Sequence, residues 1–312
     1  MNLKTIFYYV GLFCFPISAL SLINILYSSY FDYFLNLNAY LITLFISLTI
    51  GILFYLIGKN SEKRINFYEQ ILLIIFSYLL VSTLISLPYF FSIYQFSFLD
   101  SLFESFSGVT LTGFTIFDNV KHIDPTLILW RSSSQWIGGL YFLFFLIIIF
   151  SNKQFIYKLN NLTFCGEASN IESNIKNSLF KIFICYFVLS ILIIFLLLAA
   201  DIRLFNALNL SMTIVSTGGF LPTNSLSQII STPIQEFNLI ICFLLSCLNI
   251  FLILNIFSLK KMVASHREDI FLVFFIILFL IPLFLILKDY ETKEIILSVL
   301  SSITNSGIAI TK

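Results

Sequence analysis

Three short stretches that combine hydroxyl side chains with a glycine recur along the sequence, spaced about a hundred residues apart. Carbonyl oxygens of such a loop can replace the hydration shell of a cation, and glycine permits the backbone angles that aim them inward. The stretches therefore predict loops of an ion-selective pore. Their candidate ion-binding residues are Thr110, Leu111, Thr112 and Gly113, then Ser216, Thr217, Gly218 and Gly219, then Thr304, Asn305, Ser306 and Gly307.

The composition places these loops in a membrane protein. Hydrophobic residues make up 59% of the sequence and charged residues 11%, and the mean hydropathy is +1.00. These values lie far outside the range of soluble proteins. With a net charge of +1 and no basic cluster interleaved with aromatic residues, the sequence argues against a nucleic-acid partner. Membrane lipid is the expected surrounding.

Apolar runs of the length of a membrane-spanning helix predict an all-α polytopic membrane protein with seven full spans. The runs lie near residues 6–27, 38–58, 67–91, 127–150, 178–200, 234–258 and 270–287. Three shorter amphipathic segments, 98–108, 202–214 and 292–303, each end at a glycine loop and predict pore helices. The carbonyl ends of such helices carry partial negative charge, which would stabilise a cation on a pore axis.

The repeated order of helix, pore helix, filter loop and helix predicts modules packed around a pore axis. The expected boundaries are 1–66 for a two-helix amino-terminal segment, 67–158 for the first pore module, 159–262 for the second and 263–312 for an incomplete third. No single module can bury its own polar loop against lipid. The modules are therefore expected to surround the loops together.

Basic residues predict the orientation in the membrane. If every span crosses once, lysine and arginine collect at the amino terminus and in the loops near residues 60, 160 and 262, whereas aspartates collect on the other side. Because positive charge marks the cytoplasmic side, the amino terminus is predicted to be cytoplasmic. All three glycine loops then enter the membrane from outside.

Two longer motifs surround the first loop. Residues 99–113 read LDSLFESFSGVTLTG, and residues 130–139, at the start of the following helix, read WRSSSQWIGG. Both resemble the Trk/Ktr/HKT superfamily of potassium transporters, especially its bacterial TrkH-type subunit with the signature Arg-x-x-x-Gln-Trp-x-Gly-Gly. The Gly-Gly-Phe of the second loop and the Thr-Asn-Ser-Gly of the third are similar to later filter loops of that family. The resemblance covers the whole chain.

This resemblance implies potassium uptake across the bacterial inner membrane through a filter of backbone carbonyls. It implies no covalently bound cofactor, with potassium as the substrate. It also implies a homodimer and a cytosolic nucleotide-binding regulatory subunit. Leu111 departs from the threonine usual at its position, a mild change if only its carbonyl meets the ion. The sequence does not show whether a second ion is coupled to transport.

Four side chains near the first loop are candidates for supporting the filter: Glu104, Arg131, Gln135 and Trp136. Glu104 lies on the first pore helix and either holds the loop or concentrates cations at the pore mouth. Arg131 either extends to the membrane interface, as long basic side chains do, or makes a specific contact behind the first filter. The sequence leaves these alternatives open.

The number of loops leaves two interpretations of function. The resemblance implies four modules in one polypeptide, whereas this sequence carries three glycine loops and stops five residues after Gly307. The expectation is a truncated product or fragment, or a pore that a second chain completes. The alternative function is a truncated, non-conducting remnant or an assembly subunit. An enzyme is not predicted, because motifs of metalloproteases, nucleophile-elbow hydrolases and P-loop proteins are missing from the sequence.

Overall fold

The computed structural model describes residues 2–61, 65–150, 171–248, 267–286 and 292–308. Every regular element in these ranges is helical, in agreement with the predicted all-α class. The helices are α1 Leu3–Tyr30, α2 Leu37–Gly58, α3 Phe67–Phe90, α4 Phe98–Val109, α5 Pro125–Phe150, α6 Ile171–Ala199, α7 Leu204–Ser216, α8 Pro233–Cys247, α9 Arg267–Ile286 and α10 Thr292–Ile303. Single 3-10 turns, Val120–His122 and Leu226–Gln228, follow α4 and α7.

Five of the described helices are long and apolar enough to cross a membrane, namely α1, α2, α3, α5 and α6. They confirm the first five predicted spans. The sixth differs from its prediction, because α8 ends at Cys247 and Leu248 is extended with φ −66° and ψ 141°. Residues 249–258 of that predicted span lie outside the described ranges. Helix α9 covers the predicted seventh span up to Ile286.

The three predicted pore helices are present as α4, α7 and α10, each 12 or 13 residues long. Their length is too short for a full span of about 20 residues. Helix α4 begins where the Ser97 hydroxyl accepts a hydrogen bond from the Asp100 backbone N–H at 3.1 Å. Because that cap satisfies a free donor and Asp100 places negative charge in the first turn, the start of α4 is encoded locally.

The chain forms two compact units, of which the first comprises residues 1–110 and 122–179. Within it, α1 and α2 pack antiparallel with their backbones in contact. A Cβ atom at Gly11 would lie 2.8 Å from the Tyr55 backbone nitrogen and 2.9 Å from the Gly51 carbonyl oxygen. Such close approach through small residues is typical of membrane helices, where packing rather than a hydrophobic driving force joins the helices.

Helix α5 contacts α1, α3 and α4 in this unit and is largely buried. Its Trp130 indole N–H donates to the Ile85 carbonyl of α3 at 3.0 Å. At its start, the Asp124 carboxylate accepts the Thr126 backbone N–H at 3.1 Å and the Asn36 side-chain N–H at 2.8 Å. The helix that follows the first glycine loop is therefore held at its amino-terminal end by hydrogen bonds as well as by packing.

The second unit comprises residues 111–121 and 180–312. Within its described residues, α8 packs on both pore helices of the unit, α7 and α10, and α9 packs on α10. Gln235 in the first turn of α8 donates from its side-chain nitrogen to the Ala200 carbonyl at 3.2 Å. The residues Leu111–Lys121, which follow the first pore helix, belong to this unit together with the second and third glycine loops.

Candidate ion filter

The three glycine loops share two positions with positive φ. When the loops are aligned on their glycines, the residue two positions before each glycine is left-handed, and each glycine has positive φ. The left-handed residues are Leu111 (φ 63°), Thr217 (60°) and Asn305 (58°), and the glycines are Gly113 (76°), Gly219 (86°) and Gly307 (61°). Residues with a Cβ rarely adopt such angles and lose about 1–3 kcal/mol when they do. The recurrence at one position indicates a shared geometric requirement.

Hydrogen bonds explain how the second and third pore helices end and how the chain turns into the loop that follows each of them. The Gly218 backbone N–H donates to the Thr213 carbonyl at 3.0 Å, and the Ser306 N–H donates to the Ser301 carbonyl, also at 3.0 Å. This six-residue closure around a left-handed residue is the Schellman arrangement of a helix end. The turn therefore satisfies helix carbonyls that would otherwise lack donors.

Hydroxyl side chains at the first position of each loop cap the pore helix that precedes it. Thr110 donates to the Phe106 carbonyl at 2.6 Å, and Ser216 donates to the Thr213 carbonyl at 3.2 Å. Thr304 donates to the Ser301 carbonyl at 3.2 Å. These contacts explain why the loops contain so many hydroxyl residues.

The loops of the second unit meet at their glycines. A Cβ atom at Gly113 would lie 2.7 Å from the Gly218 carbonyl oxygen and 3.6 Å from the Gly219 Cα. A Cβ atom at Gly219 would overlap the Ser306 carbonyl oxygen and lie 3.7 Å from the Gly113 Cα. Around Gly307, the described residues leave open space within 4 Å of such an atom. The first loop thus faces the second and the second faces the third, and Gly307 faces a position that the described residues leave open.

Exposure differs among the candidate ion-binding residues. Thr110, Thr112 and Asn305 are exposed, whereas Leu111, Thr217, Gly113 and Gly219 are half-buried. The buried residues are Ser216, Gly218, Thr304 and Ser306. Leu111 shares with Thr217 and Asn305 the left-handed backbone and not a type of side chain.

Glu104 and Arg131 form a buried ion pair that joins α4 to α5. The Arg131 Nε atom donates to Glu104 Oε1 at 2.8 Å, and the two side chains are 2% and 0% exposed. A buried arginine cannot extend to the membrane interface, so that alternative is wrong. The full burial of the Glu104 carboxylate fits a role in holding α4, which leads directly into the first loop, and does not fit collection of cations from solvent.

The other two candidate support residues also lie on α5. Gln135 is fully buried and Trp136 is half-buried. Two residues further along, a Cβ atom at Gly138 would overlap the Val109 carbonyl oxygen and lie 2.9 Å from the Val109 Cα. The backbone of α5 therefore rests directly on the last residue of α4, and the Gln-Trp-Ile-Gly-Gly block provides the packing beside the start of the first loop.

The sequence interpretation missed two sets of side chains. One set is the hydroxyl residues that stand six positions before the glycines, namely Ser107, Thr213 and Ser301. Their recurrence in the sequence was a readable signal. The other is Asn224, whose side chain accepts the Val120 backbone N–H at 2.7 Å and donates to Asn119 Oδ1 at 2.8 Å. Asn224 thereby joins the segments that follow the first and second loops. Its sequence surroundings carry no signal for this contact.

Comparison with known proteins identifies the family of this chain. Residues 36–267 match the TrkH family model, which is described as a cation transport protein. The chain belongs to the TrkH family. The description of the family is that of transport proteins rather than enzymes, as the sequence predicted, and five described helices are long and apolar enough to cross a membrane.

Two curated relatives show the extent of the match. An uncharacterized cation transporter of Methanocaldococcus jannaschii is 28% identical over 173 residues, covering 55% of this chain and 36% of the relative. The Trk system potassium uptake protein TrkH of Halomonas elongata is 24% identical over 188 residues, covering 59% of this chain and 39% of the relative. The aligned regions therefore span well under half of the length of these relatives.

A solved structure shows the same fold. The crystal structure of the potassium transporter TrkH from Vibrio parahaemolyticus aligns with a TM-score of 0.77 at 20% sequence identity, covering 100% of this chain and 66% of that chain. The likeness extends over all helices named above, including the pore helices. It supports the TrkH fold for the part of this chain that the structure describes.

Proposed function

We propose that the chain contributes three filter loops to a potassium-selective pore in the bacterial inner membrane. The supporting observation is that Gly113, Gly219 and their neighbours meet in one place, with positive φ at the same two positions of every loop. Carbonyl oxygens grouped in this way replace the water around a cation. Two relatives, the TrkH proteins of Halomonas elongata and Escherichia coli, are named as potassium uptake proteins, which favours potassium as the substrate.

The proposed ion-binding groups are backbone carbonyls rather than side chains. The four residues of each loop that end at its glycine are the candidates, and the hydroxyls at the first position of each loop are occupied with helix carbonyls. Inward movement of potassium would be driven by the membrane potential, which contributes about 2.3 kcal/mol per elementary charge per 100 mV. No ionisable side chain needs to change its charge in this mechanism.

The open position beside Gly307 is proposed to receive a fourth loop. Each of the first two glycines faces the backbone of the next loop, whereas Gly307 faces open space among the described residues. An exposed polar backbone in lipid costs several kcal/mol for each unsatisfied group. A polypeptide segment with a fourth glycine loop would cover this position.

The amino terminus is proposed to be cytoplasmic, and a homodimer and a cytosolic nucleotide-binding regulatory subunit are the proposed partners.

The open position also supports the second candidate function, a non-conducting assembly subunit or remnant. Growth of a potassium-uptake-deficient bacterium at low external potassium distinguishes the two. We expect the 312-residue chain to restore growth only when it is co-expressed with a polypeptide that carries a fourth loop and its flanking spans. The control is the same pair with Gly219→Ala, which blocks the contact between the second and third loops.

Three outcomes decide among the functions. Restoration by the pair, and not by the Gly219→Ala pair, supports the pore. Failure of the pair, with both polypeptides detected in the membrane, favours the non-conducting subunit. Restoration by the chain alone would contradict the need for a fourth loop and would require several copies of this chain to complete the pore.

A further inference from the structure

A hydroxyl residue stands six positions before each filter glycine. These residues are Ser107, Thr213 and Ser301, and all three are buried. The Thr213 Oγ1 atom donates to the carbonyl oxygen of Phe220 at 2.7 Å. The Ser301 Oγ atom donates to the carbonyl oxygen of Ile308 at 3.0 Å. Phe220 and Ile308 each come directly after a filter glycine, so the same contact recurs in two loops of different sequence.

The main chains of Thr213 and Ser301 hold the other side of each glycine. Their carbonyls accept the backbone N–H groups of Gly218 and Ser306, which come directly before the glycines. One residue of the second pore helix and one of the third are therefore bonded to the loop on both sides of its glycine. This double attachment leaves the glycine peptide between two fixed points.

We propose that the hydroxyls of Thr213 and Ser301 are positioning groups that end the ion-lining stretch at the glycine. A carbonyl that accepts a hydrogen bond from its own pore helix points back toward that helix and is not available to a cation on the pore axis. The carbonyls that remain for the ion are those up to and including the glycine. Ser107 holds the corresponding position for the first loop. The inference rests on the proposed potassium pore and deepens it.

Loss of either hydroxyl should change ion selection rather than the fold. Phe220 is 2% exposed, and a buried carbonyl without a donor is costly. Without the Thr213 hydroxyl, rotation of the Phe220 peptide toward a cation or water becomes favourable, and the adjoining Gly219 carbonyl moves with it. Selectivity in a carbonyl filter depends on the number and placement of its oxygens. A smaller preference for potassium over sodium follows.

The test compares three variants in proteoliposomes made from the assembly that restores growth. Thr213→Val removes the donor and keeps the shape of the side chain, and Thr213→Ser keeps the donor. Ser211→Ala is the matched control, because Ser211 is equally buried on the same helix but donates to the Leu208 carbonyl of that helix at 2.8 Å. The measurement is the ratio of potassium to sodium uptake, together with the potassium-dependent rise in the thermal unfolding temperature.

We expect Thr213→Val to lower the uptake ratio about five- to tenfold, the effect of one lost hydrogen bond, and to reduce the stabilisation by potassium. Thr213→Ser and Ser211→Ala should keep the wild-type ratio. In the third loop, Ser301→Ala should lower the uptake ratio as Thr213→Val does, and Ser301→Thr, which keeps the donor, should keep the wild-type ratio.

Unchanged ratios in both donor-less variants would overturn the proposal. Loss of assembly in both would also overturn it, because the hydroxyls would then be needed for folding rather than for ion selection. Absence of selective potassium uptake by the wild-type assembly would instead contradict the proposed function, so the two failures are distinguishable.

Discussion

At the scale of single residues, the loops depend on glycine for two separate physical reasons. Gly113 and Gly219 have positive φ, and each also lies where an added Cβ would meet a carbonyl oxygen of the next loop. Gly307 shares the positive φ but faces open space among the described residues. Substitution of Gly307 therefore tests backbone strain alone, whereas substitution of Gly113 or Gly219 tests strain combined with a steric overlap.

We expect Gly113→Ser to reduce the preference of the conducting assembly for potassium over sodium, because its Cβ would displace the Gly218 carbonyl, which lies 2.7 Å from that position. Gly307→Ser is the matched control, in which the described residues leave room for the side chain and the left-handed angle costs about 1–3 kcal/mol. Relative permeabilities measured by ion-replacement currents or tracer uptake give the comparison. Equal effects of the two substitutions would show that strain alone decides and that contact between the loops does not.

At the scale of elements, the first pore helix is attached to the helix that follows its loop by charge and by close backbone packing. The Glu104–Arg131 pair joins α4 to α5 in a fully buried environment. About two helical turns further along α5, Gly138 allows the backbone of α5 to rest on Val109 at the end of α4. Both contacts limit movement of α4 along α5, and α4 continues directly into the first loop.

Removal of one partner of this pair should destabilise the protein far more than removal of both. We expect Glu104→Leu or Arg131→Met to cost about 3–5 kcal/mol, because each removes the opposite charge from a buried one, and the double variant to recover most of that loss. Thermal unfolding of the detergent-solubilised protein measures the effect. Asp100→Asn, on the exposed side of α4, is the control and should cost under about 1 kcal/mol. Additive losses in the double variant would argue against a coupled pair.

At the scale of the whole molecule, the charge pattern and the positions of the glycine loops together predict one orientation in the membrane. Lys59 and the basic residues that follow it come after α2, whereas Asp32 stands in the loop before it. The predicted cytoplasmic loops near residues 160 and 262 lie outside the described ranges. The α1–α2 and α2–α3 connections are therefore the places where the orientation can be tested on described, exposed residues.

In a cysteine-free background, Asp32→Cys should react with a membrane-impermeant maleimide added to intact cells. The basic residues after α2 favour the cytoplasmic side for the α2–α3 connection, which leaves the loop of Asp32 on the outer side. Asn60→Cys, which is equally exposed at the other end of α2, should react only after permeabilisation. Labelling is measured by the shift in mass of the purified protein. The reverse pattern would place the glycine loops on the cytoplasmic side and would contradict the proposed pore entrance.

The local sequence was sufficient for most of the secondary structure. The pore helices α4 and α7 lie within two residues of their predicted bounds, and α10 matches its prediction. This accuracy has a physical basis, because apolar length, helix caps and glycine act over a few neighbouring residues. The same reasoning was wrong at Cys247, where α8 ends inside an apolar run, since hydrophobicity alone carries no signal for a helix break.

By itself, the sequence determined that this is an all-α membrane protein with three glycine loops of one type, because composition and short-range periodicity decide both. Only the tertiary structure decided which residues act on those loops. Arg131 pairs with Glu104 across 27 positions, and Asn224 bonds to Asn119 across 105. The direction of the Thr213 hydroxyl likewise depends on where the chain returns after Gly219. Such contacts join residues that only the folded backbone brings together, and no local pattern encodes them.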